Sequence, residues 1–339
     1  MNLSGGSHRL RLGVLLLTVT AALLFIGASS ALQRPGRTIV RGGPIRAVAL
    51  NHSSLAFLVA RTKTDCEHVE LWDTGTQGTW RFGKPGPCTN LGSTGNGISG
   101  VGVSGNRLLW IRYAGGNIRD WQLMTATTTK RTPKLLRTVS QDVDLSSPFV
   151  IGDSTRGDGI PYAAGNEVVL LGNNGGAIFK STQPAKVVAV TSGRGPGGAV
   201  VAALLETGQV GLLKSDGSTA ATVVYQPGAV KAIALAPVGL IVQLLGGVQI
   251  RHGSASATVN LPSGAVMSDY AEGRILYTRR NEVHALRIVG GKDTLLLKAA
   301  PGRPVFPTLD THGLGWARGF TVNFACGGCV TYAPRGAGR

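Results

Sequence analysis

The chain alternates between short apolar runs and breaks rich in glycine, asparagine and proline. LAFLVARTKTDCEHVELW (55–72), LLWIRYAGGNIRDWQL (108–123), IPYAAGNEVVLL (160–171), VVAALLETGQVGLL (200–213), LIVQLLGGVQI (240–250), ILYTRRNEVHALRI (275–288) and LGWARGFTVNFA (314–325) each run apolar, turn, and run apolar again. That pattern predicts a β-hairpin in each. A third stretch precedes every hairpin: IRAVAL, ISGVGV, PFVIG, KVVAVT, VKAIAL, VMSDYA and VFPTL. A fourth follows it: TWRF, KLLRTV, AIFKS, ATVVY, ATVNL, TLLLKA and VTYA.

Four short strands therefore recur seven times. Taking Val69, Ile118, Val168, Val210, Val248, Val283 and Val322 as equivalent positions gives spacings of 49, 50, 42, 38, 35 and 39. These bracket the period of four-stranded propeller blades, roughly 40 to 50 residues. A small sheet of this kind cannot bury both faces alone, so the units must pack on one another around an axis. The predicted fold is all-β, a seven-bladed β-propeller of four-stranded antiparallel blades over residues 45–335, preceded by a short basic lead-in at 32–44. How the ring closes is open, since TIV at 38–40 either pairs with the last blade or leads into the first.

HVELWDTGT at 68–76 resembles the end of a WD40 repeat, with Trp72 and Asp73 as its WD pair, and NIRDWQLMT places Trp121 in a similar setting. The other five units lack the tryptophan, and no Gly-His pair opens any blade. The chain thus resembles the propeller superfamily, including exported TolB-like and WD40-like propellers, without pointing to one family within it. The resemblance implies a binding platform more often than an enzyme.

Residues 9–28, RLRLGVLLLTVTAALLFIGA, place two arginines before an uncharged apolar run, and small residues follow it. This predicts an export signal in residues 1–31, either cleaved after Ala31 or retained as an anchor through residues 12–28. The protein is then expected outside the cytoplasmic membrane, secreted or held at its outer side. The formal net charge is +17, and residues 1–31 contribute only Arg9 and Arg11 to it. Such a balance attracts anionic partners, and export favours an envelope protein, an anionic polymer or anionic lipid over nucleic acid.

Four cysteines in an exported chain are expected to pair. In a propeller, the loop joining a blade's second and third strands shares a face with the connection to the next blade. Cys66 and Cys88 would occupy such neighbouring segments and are expected to form one disulfide. Cys326 and Cys329 flank Gly327 and Gly328 in FACGGCV. A staple across a tight hairpin is expected there, rather than a redox pair, which needs a helix N-terminus to lower its pKa. Zinc would need two more ligands, and the histidines at 52, 68, 252, 284 and 312 show no ligand spacing, so neither metal nor cofactor is called for.

The strings GNGISG (95–100) and GRGPGG (193–198) satisfy GxGxxG, but both lie between strands, where no helix N-terminus could receive a pyrophosphate. FVIGDSTRG (149–157) resembles the nucleophile block of GDS-type esterases, with Ser154 as attacking residue and Asp153 beside it. Its mid-chain position, and Asp310 and His312 spaced one residue too closely, favour a polar connection inside a blade. Topology offers a better candidate, a basic face carrying Arg61, Lys63, His68, Lys84, Lys186, Arg279, Arg280, Arg303 and Arg318. Arginine forks there would suit carboxylate or phosphate. The sequence is read as a binding or scaffolding module of the cell envelope. The alternative is a propeller lyase or hydrolase acting on an acidic carbohydrate, although the inner stretches carry few titratable groups.

Overall fold

The computed structural model describes residues 37–88, 96–154 and 159–326. Strand β1 (Arg37–Val40) precedes blade 1, which is β2 (Ile45–Asn51), β3 (Ser54–Val59), β4 (His68–Asp73) and β5 (Thr79–Phe82). Blade 2 is β6 (Gly97–Ser104), β7 (Arg107–Gly115), β8 (Ile118–Thr127) and β9 (Lys134–Asp142). Blade 3 is β10 (Phe149–Ile151), β11 (Ile160–Ala164), β12 (Glu167–Leu171) and β13 (Ala177–Thr182). Blade 4 is β14 (Val187–Ser192), β15 (Ala199–Leu205), β16 (Gln209–Lys214) and β17 (Thr219–Val224). Blade 5 is β18 (Ala232–Ala236), β19 (Gly239–Leu244), β20 (Gly247–His252) and β21 (Ala255–Asn260). Blade 6 is β22 (Ala265–Ala271), β23 (Arg274–Arg279), β24 (Glu282–Arg287) and β25 (Asp293–Lys298). The last described strands are β26 (Val305–Leu309), β27 (Gly313–Arg318) and β28 (Thr321–Cys326).

All seven sheets are four-stranded, and every pairing within them is antiparallel. The chain is a seven-bladed β-propeller. The seventh blade differs from the sequence reading in one respect. Its order is β1-β28-β27-β26, so the outermost strand comes from the start of the chain, with Ile39 opposite Val322. That place was assigned to VTYA, which lies outside the described residues. Residues 38–40 therefore close the ring.

The middle strands of each blade are buried on both faces, as in β3 and β11, because a neighbouring blade covers each side. Outermost strands such as β21 are mostly exposed. The buried side chains gather into seven clusters, each lying across the seam between successive blades. The closing seam joins Leu55, Phe57 and Trp72 of blade 1 to Ala317 and Val322 of blade 7. Full burial of one such side chain is worth roughly 1.5–3 kcal/mol.

Two register expectations change. Ile118 is 61% exposed, because the β7–β8 hairpin is longer and carries Ile118 near its tip. Leu123, opposite Ile111, takes the buried place that Val69 holds opposite Leu58. Trp72 is fully buried opposite Leu55, but Trp121 lies opposite Tyr113, and Ala126 takes the matching place in blade 2.

Polar side chains also join neighbouring inner strands by bonding to backbone. Asn51 donates from Nδ2 to the Ser154 carbonyl in blade 3 (2.8 Å) and accepts the Gly105 amide of blade 2 (2.9 Å). Gln243 of blade 5 donates to Ala265 O and accepts the Met267 amide of blade 6 (2.7 and 2.8 Å). Asp269 of blade 6 accepts the Leu309 amide of blade 7 (2.8 Å). Gly152 marks a close approach of another kind, since a Cβ there would lie 1.8 Å from the Val190 carbonyl oxygen of blade 4. The glycine of the GDS string thus has a packing reason.

Among the described residues, no helix is long and apolar enough to cross a membrane. The apolar run at 12–28 lies outside them, as do Cys329, the Gly327-Gly328 turn and the strings at 89–95 and 155–158.

Candidate binding face

In an antiparallel four-stranded blade, the turn between the second and third strands and the connection to the next blade emerge at the same end. The basic candidates are distributed along that end. Arg61 and Lys63 lie between β3 and β4, Lys84 after β5, Lys186 before β14, and Arg303 before β26. Arg279 ends β23, Arg280 occupies the following turn, and Arg318 ends β27. Arg61, Lys63, Lys84, Arg280 and Arg303 are exposed, and Lys186, Arg279 and Arg318 are half-buried. His68 does not belong with them. It is 3% exposed, because it opens a strand covered on both faces.

The turn of blade 1 is a built knob rather than a loose loop. Cys66 and Cys88 form a disulfide, as the sequence suggested. The Cys66 amide donates to the Gly86 carbonyl at 2.7 Å, which brings the two segments together alongside the bond. Arg81 makes a forked contact to both oxygens of Asp65, each at 2.7 Å, and holds that carboxyl below its usual range. Behind the knob, His68 Nδ1 lies 2.8 Å from the Cys66 carbonyl and Nε2 lies 3.0 Å from Glu70 Oε1. Arg41 Nε donates to Glu70 Oε2 at 2.6 Å. Burial works to raise the Glu70 carboxyl, but the His68 and Arg41 contacts outweigh it and hold it low.

Glu67 behaves oppositely. Burial lifts its carboxyl above the usual range, although Oε2 accepts the Ile98 amide of blade 2 and Arg46 stands 4.0 Å away. Acids near this end are therefore engaged with partners inside the fold. No ion pair engages the side chains of Arg61, Lys63, Lys84, Arg280 and Arg303 among the described residues.

The same end carries apolar surface between blades 4 and 5. An open groove of about 500 Å³ is lined by Tyr225, Ala229, Lys231, Leu244 and Leu245. Leu245 is 93% exposed in the β19–β20 turn, and Phe320 in the β27–β28 turn is 51% exposed. Tyr225 is fixed by a hydrogen bond from its hydroxyl to Gln249 Oε1 at 3.0 Å. Exposed apolar anchors at the same end as exposed cations suit a protein surface better than a small ligand.

The opposite end holds a pair of carboxyls that the sequence does not place together. Asp153 follows β10 and Asp269 lies in β22, in blades 3 and 6. Solvent reaches Asp153, although protein surrounds it, and its carboxyl is pushed up to about 6. Burial raises the Asp269 carboxyl well above its ordinary value, and repulsion from Asp153 adds to the effect. Their separation in the chain hid the pair. Ser154 is the attacking residue in the esterase resemblance. It is 4% exposed, its carbonyl accepts from Asn51, and its hydroxyl has no hydrogen-bond partner among the described residues.

No family model matches the chain, and no curated protein matches it. Solved structures do. A chain of a mitotic checkpoint complex superposes with a TM-score of 0.54 at 13% identity, over 87% of this chain and 95% of that one. Raptor from Chaetomium thermophilum gives 0.52 at 12% identity over 85% of this chain, which spans 29% of Raptor's length. The C-terminal WD40 domain of Sif2 gives 0.47 at 13% identity, over 85% of this chain and 82% of that domain. At these identities the shared feature is the fold.

Proposed function

We propose that this protein is an exported binding or scaffolding module of the cell envelope, and that the end bearing the stapled knob docks a protein partner with an acidic segment. The propeller fold, shared with the solved structures above, supports a protein-binding or scaffolding role. The observation that carries the finer reading is the pairing of exposed cations at Arg61, Lys63 and Lys84 with exposed apolar anchors at Leu245 and Phe320 on one end. The apolar run at 12–28 supports export, either as a cleaved signal or as an anchor in the membrane.

The test is cross-linking in intact cells from a photoreactive residue at position 245. One protein should be captured, and capture should fall at least tenfold with Arg61→Glu, Lys63→Glu and Lys84→Glu combined, about 1.4 kcal/mol per factor of ten. Capture of wall polymer alone, or of the same protein undiminished in that variant, refutes the reading.

Asp153 favours the alternative, a lyase or hydrolase acting on an acidic carbohydrate. A solvent-reached carboxyl pushed up to about 6 has the proton affinity of a general acid. That reading requires depolymerisation of a uronic-acid polymer that Asp153→Asn abolishes.

A further inference from the structure

Three chemistry-bearing side chains that the chain order keeps far apart meet at the seam that closes the ring. His52 lies in the turn from β2 to β3, and Asp310 and His312 lie in the turn from β26 to β27. One ligand atom from each falls within 4.8 Å of the others. The two imidazole rings face one another with centroids 4.3 Å apart, tilted by 49°.

The carboxylate is the fixed member. Asp310 is 4% exposed, and its Oδ1 accepts the amides of His312 (2.7 Å) and Gly313 (3.0 Å). Its Oδ2 accepts the His52 amide across the seam. An ionised carboxylate oxygen offers two lone pairs, so Oδ1 is satisfied and Oδ2 retains one. His312 Nδ1 stands 3.8 Å from that oxygen.

The imidazoles are the adjustable members. Both histidines are exposed, and no ring nitrogen of His52 is hydrogen-bonded among the described residues. His52 also holds a left-handed backbone, with φ 55°, at a turn position that blade 2 fills with Gly105 at the same φ. A non-glycine side chain strains the backbone there. The turn thus presents an imidazole beside the carboxylate where glycine would relieve the backbone.

The geometry points to a metal site in which His52, Asp310 and His312 bind a borderline divalent transition-metal ion, with zinc as the reference, across the junction of blades 7 and 1. Two imidazoles and a carboxylate are ligands that zinc accepts at about 2.0–2.2 Å. Donor atoms around such an ion stand about 3.4 Å apart, so small rotations of two exposed rings close the set. Three protein ligands leave a coordination position for water or a partner's side chain. Spanning the closing seam, the ion would staple blade 7 to blade 1.

The experiment uses untagged protein and Zn²⁺ alone, followed by calorimetry and by the unfolding midpoint. Wild type should bind one Zn²⁺ per chain with a raised midpoint. His52→Gly, which removes the imidazole while easing the turn, and His312→Ala should each weaken binding at least tenfold and remove the midpoint shift. His252→Ala should leave both unchanged. Absence of saturable binding in wild type, or wild-type affinity in both His52→Gly and His312→Ala, overturns the assignment. Co²⁺ provides a second readout, since the visible absorption of the bound ion should vanish in His312→Ala, and its persistence there counts equally against the site.

Discussion

Removing the Glu70 carboxylate should loosen the ring at its closure. Arg41 follows β1, the strand that completes blade 7, and its Nε–Oε2 contact to Glu70 of blade 1 is 2.6 Å long. The side chains are 21% and 9% exposed, so the pair is largely withdrawn from water. A charge-assisted hydrogen bond contributes about 1.5–3 kcal/mol net, and the partial exposure of Arg41 places the coupling near 2 kcal/mol. Glu70→Ala also strips His68 Nε2 of its partner, which adds about 1–3 kcal/mol for a buried polar atom. Single variants Arg41→Ala and Glu70→Ala should therefore cost about 2 and about 4 kcal/mol, and the double variant scarcely more than Glu70→Ala. Urea unfolding of the four proteins measures the cycle. Amide exchange adds a local readout, because weakening this latch by 2 kcal/mol should speed exchange in β1 about 30-fold if β1 opens before the rest. A coupling below about 0.5 kcal/mol, with unchanged exchange in β1, would refute the latch.

Replacing Cys66 and Cys88 by serine should cost about 3 kcal/mol by loop-closure entropy for the 22-residue separation, read as a lower urea midpoint. An undiminished midpoint would mean that Arg81 and the Cys66 amide hold the knob unaided. The pH dependence of stability tests the Asp153–Asp269 pair. A carboxyl raised in the folded state holds its proton after the unfolded chain has released it, so stability falls as pH rises from about 4 to about 6. Solvent reaches Asp153, which discounts its share to about 1 kcal/mol. Carboxyls held low, Glu70 and Asp65 among them, slope the other way, so the quantity to measure is wild type minus Asp153→Asn across that window. A flat difference would show that Asp153 titrates as an ordinary surface acid.

Blade number and strand order were legible because the middle strands are buried on both faces and read as continuous apolar runs, as in LAFLV and VVAALL. The Cys66–Cys88 bond was legible because both cysteines fall within one repeat and its exit. Closure was not, since Thr38 bonds Asn323 across 285 residues and no local pattern encodes that partner. The Ile118 anchor slipped because hairpin length is set by turn position, which apolar pattern alone does not fix. His68 looked like a rim cation by its place in the repeat, yet the period-2 alternation that separates inside from outside disappears in a doubly covered strand. That His52 meets Asp310 and His312 was illegible for the reason that hid the pairing of Asp153 with Asp269. In a ring, residues from distant blades meet at the seam or near the axis, and their spacing in sequence carries no trace of it.

The closing seam differs physically from the other six. Blades 1 to 6 are each built from consecutive strands, whereas blade 7 is completed by β1 from the other end of the described chain, so this seam closes only while β1 stays paired with β28. The pairing is short, since β1 has four residues. Polar contacts supplement it on both sides: Arg37 to the Gly75 carbonyl, Thr38 to Asn323, Arg41 to Glu70, and Asp310 to the His52 amide. The stapled knob carrying Arg61 and Lys63 grows from blade 1 just beyond this latch, with His68 and Glu70 between them. A partner that grips the knob while touching Phe320 in blade 7 would thus bridge the junction at which strands from the two ends of the ring pair. By linkage, such a partner must stabilise ring closure by as much as closure strengthens its binding.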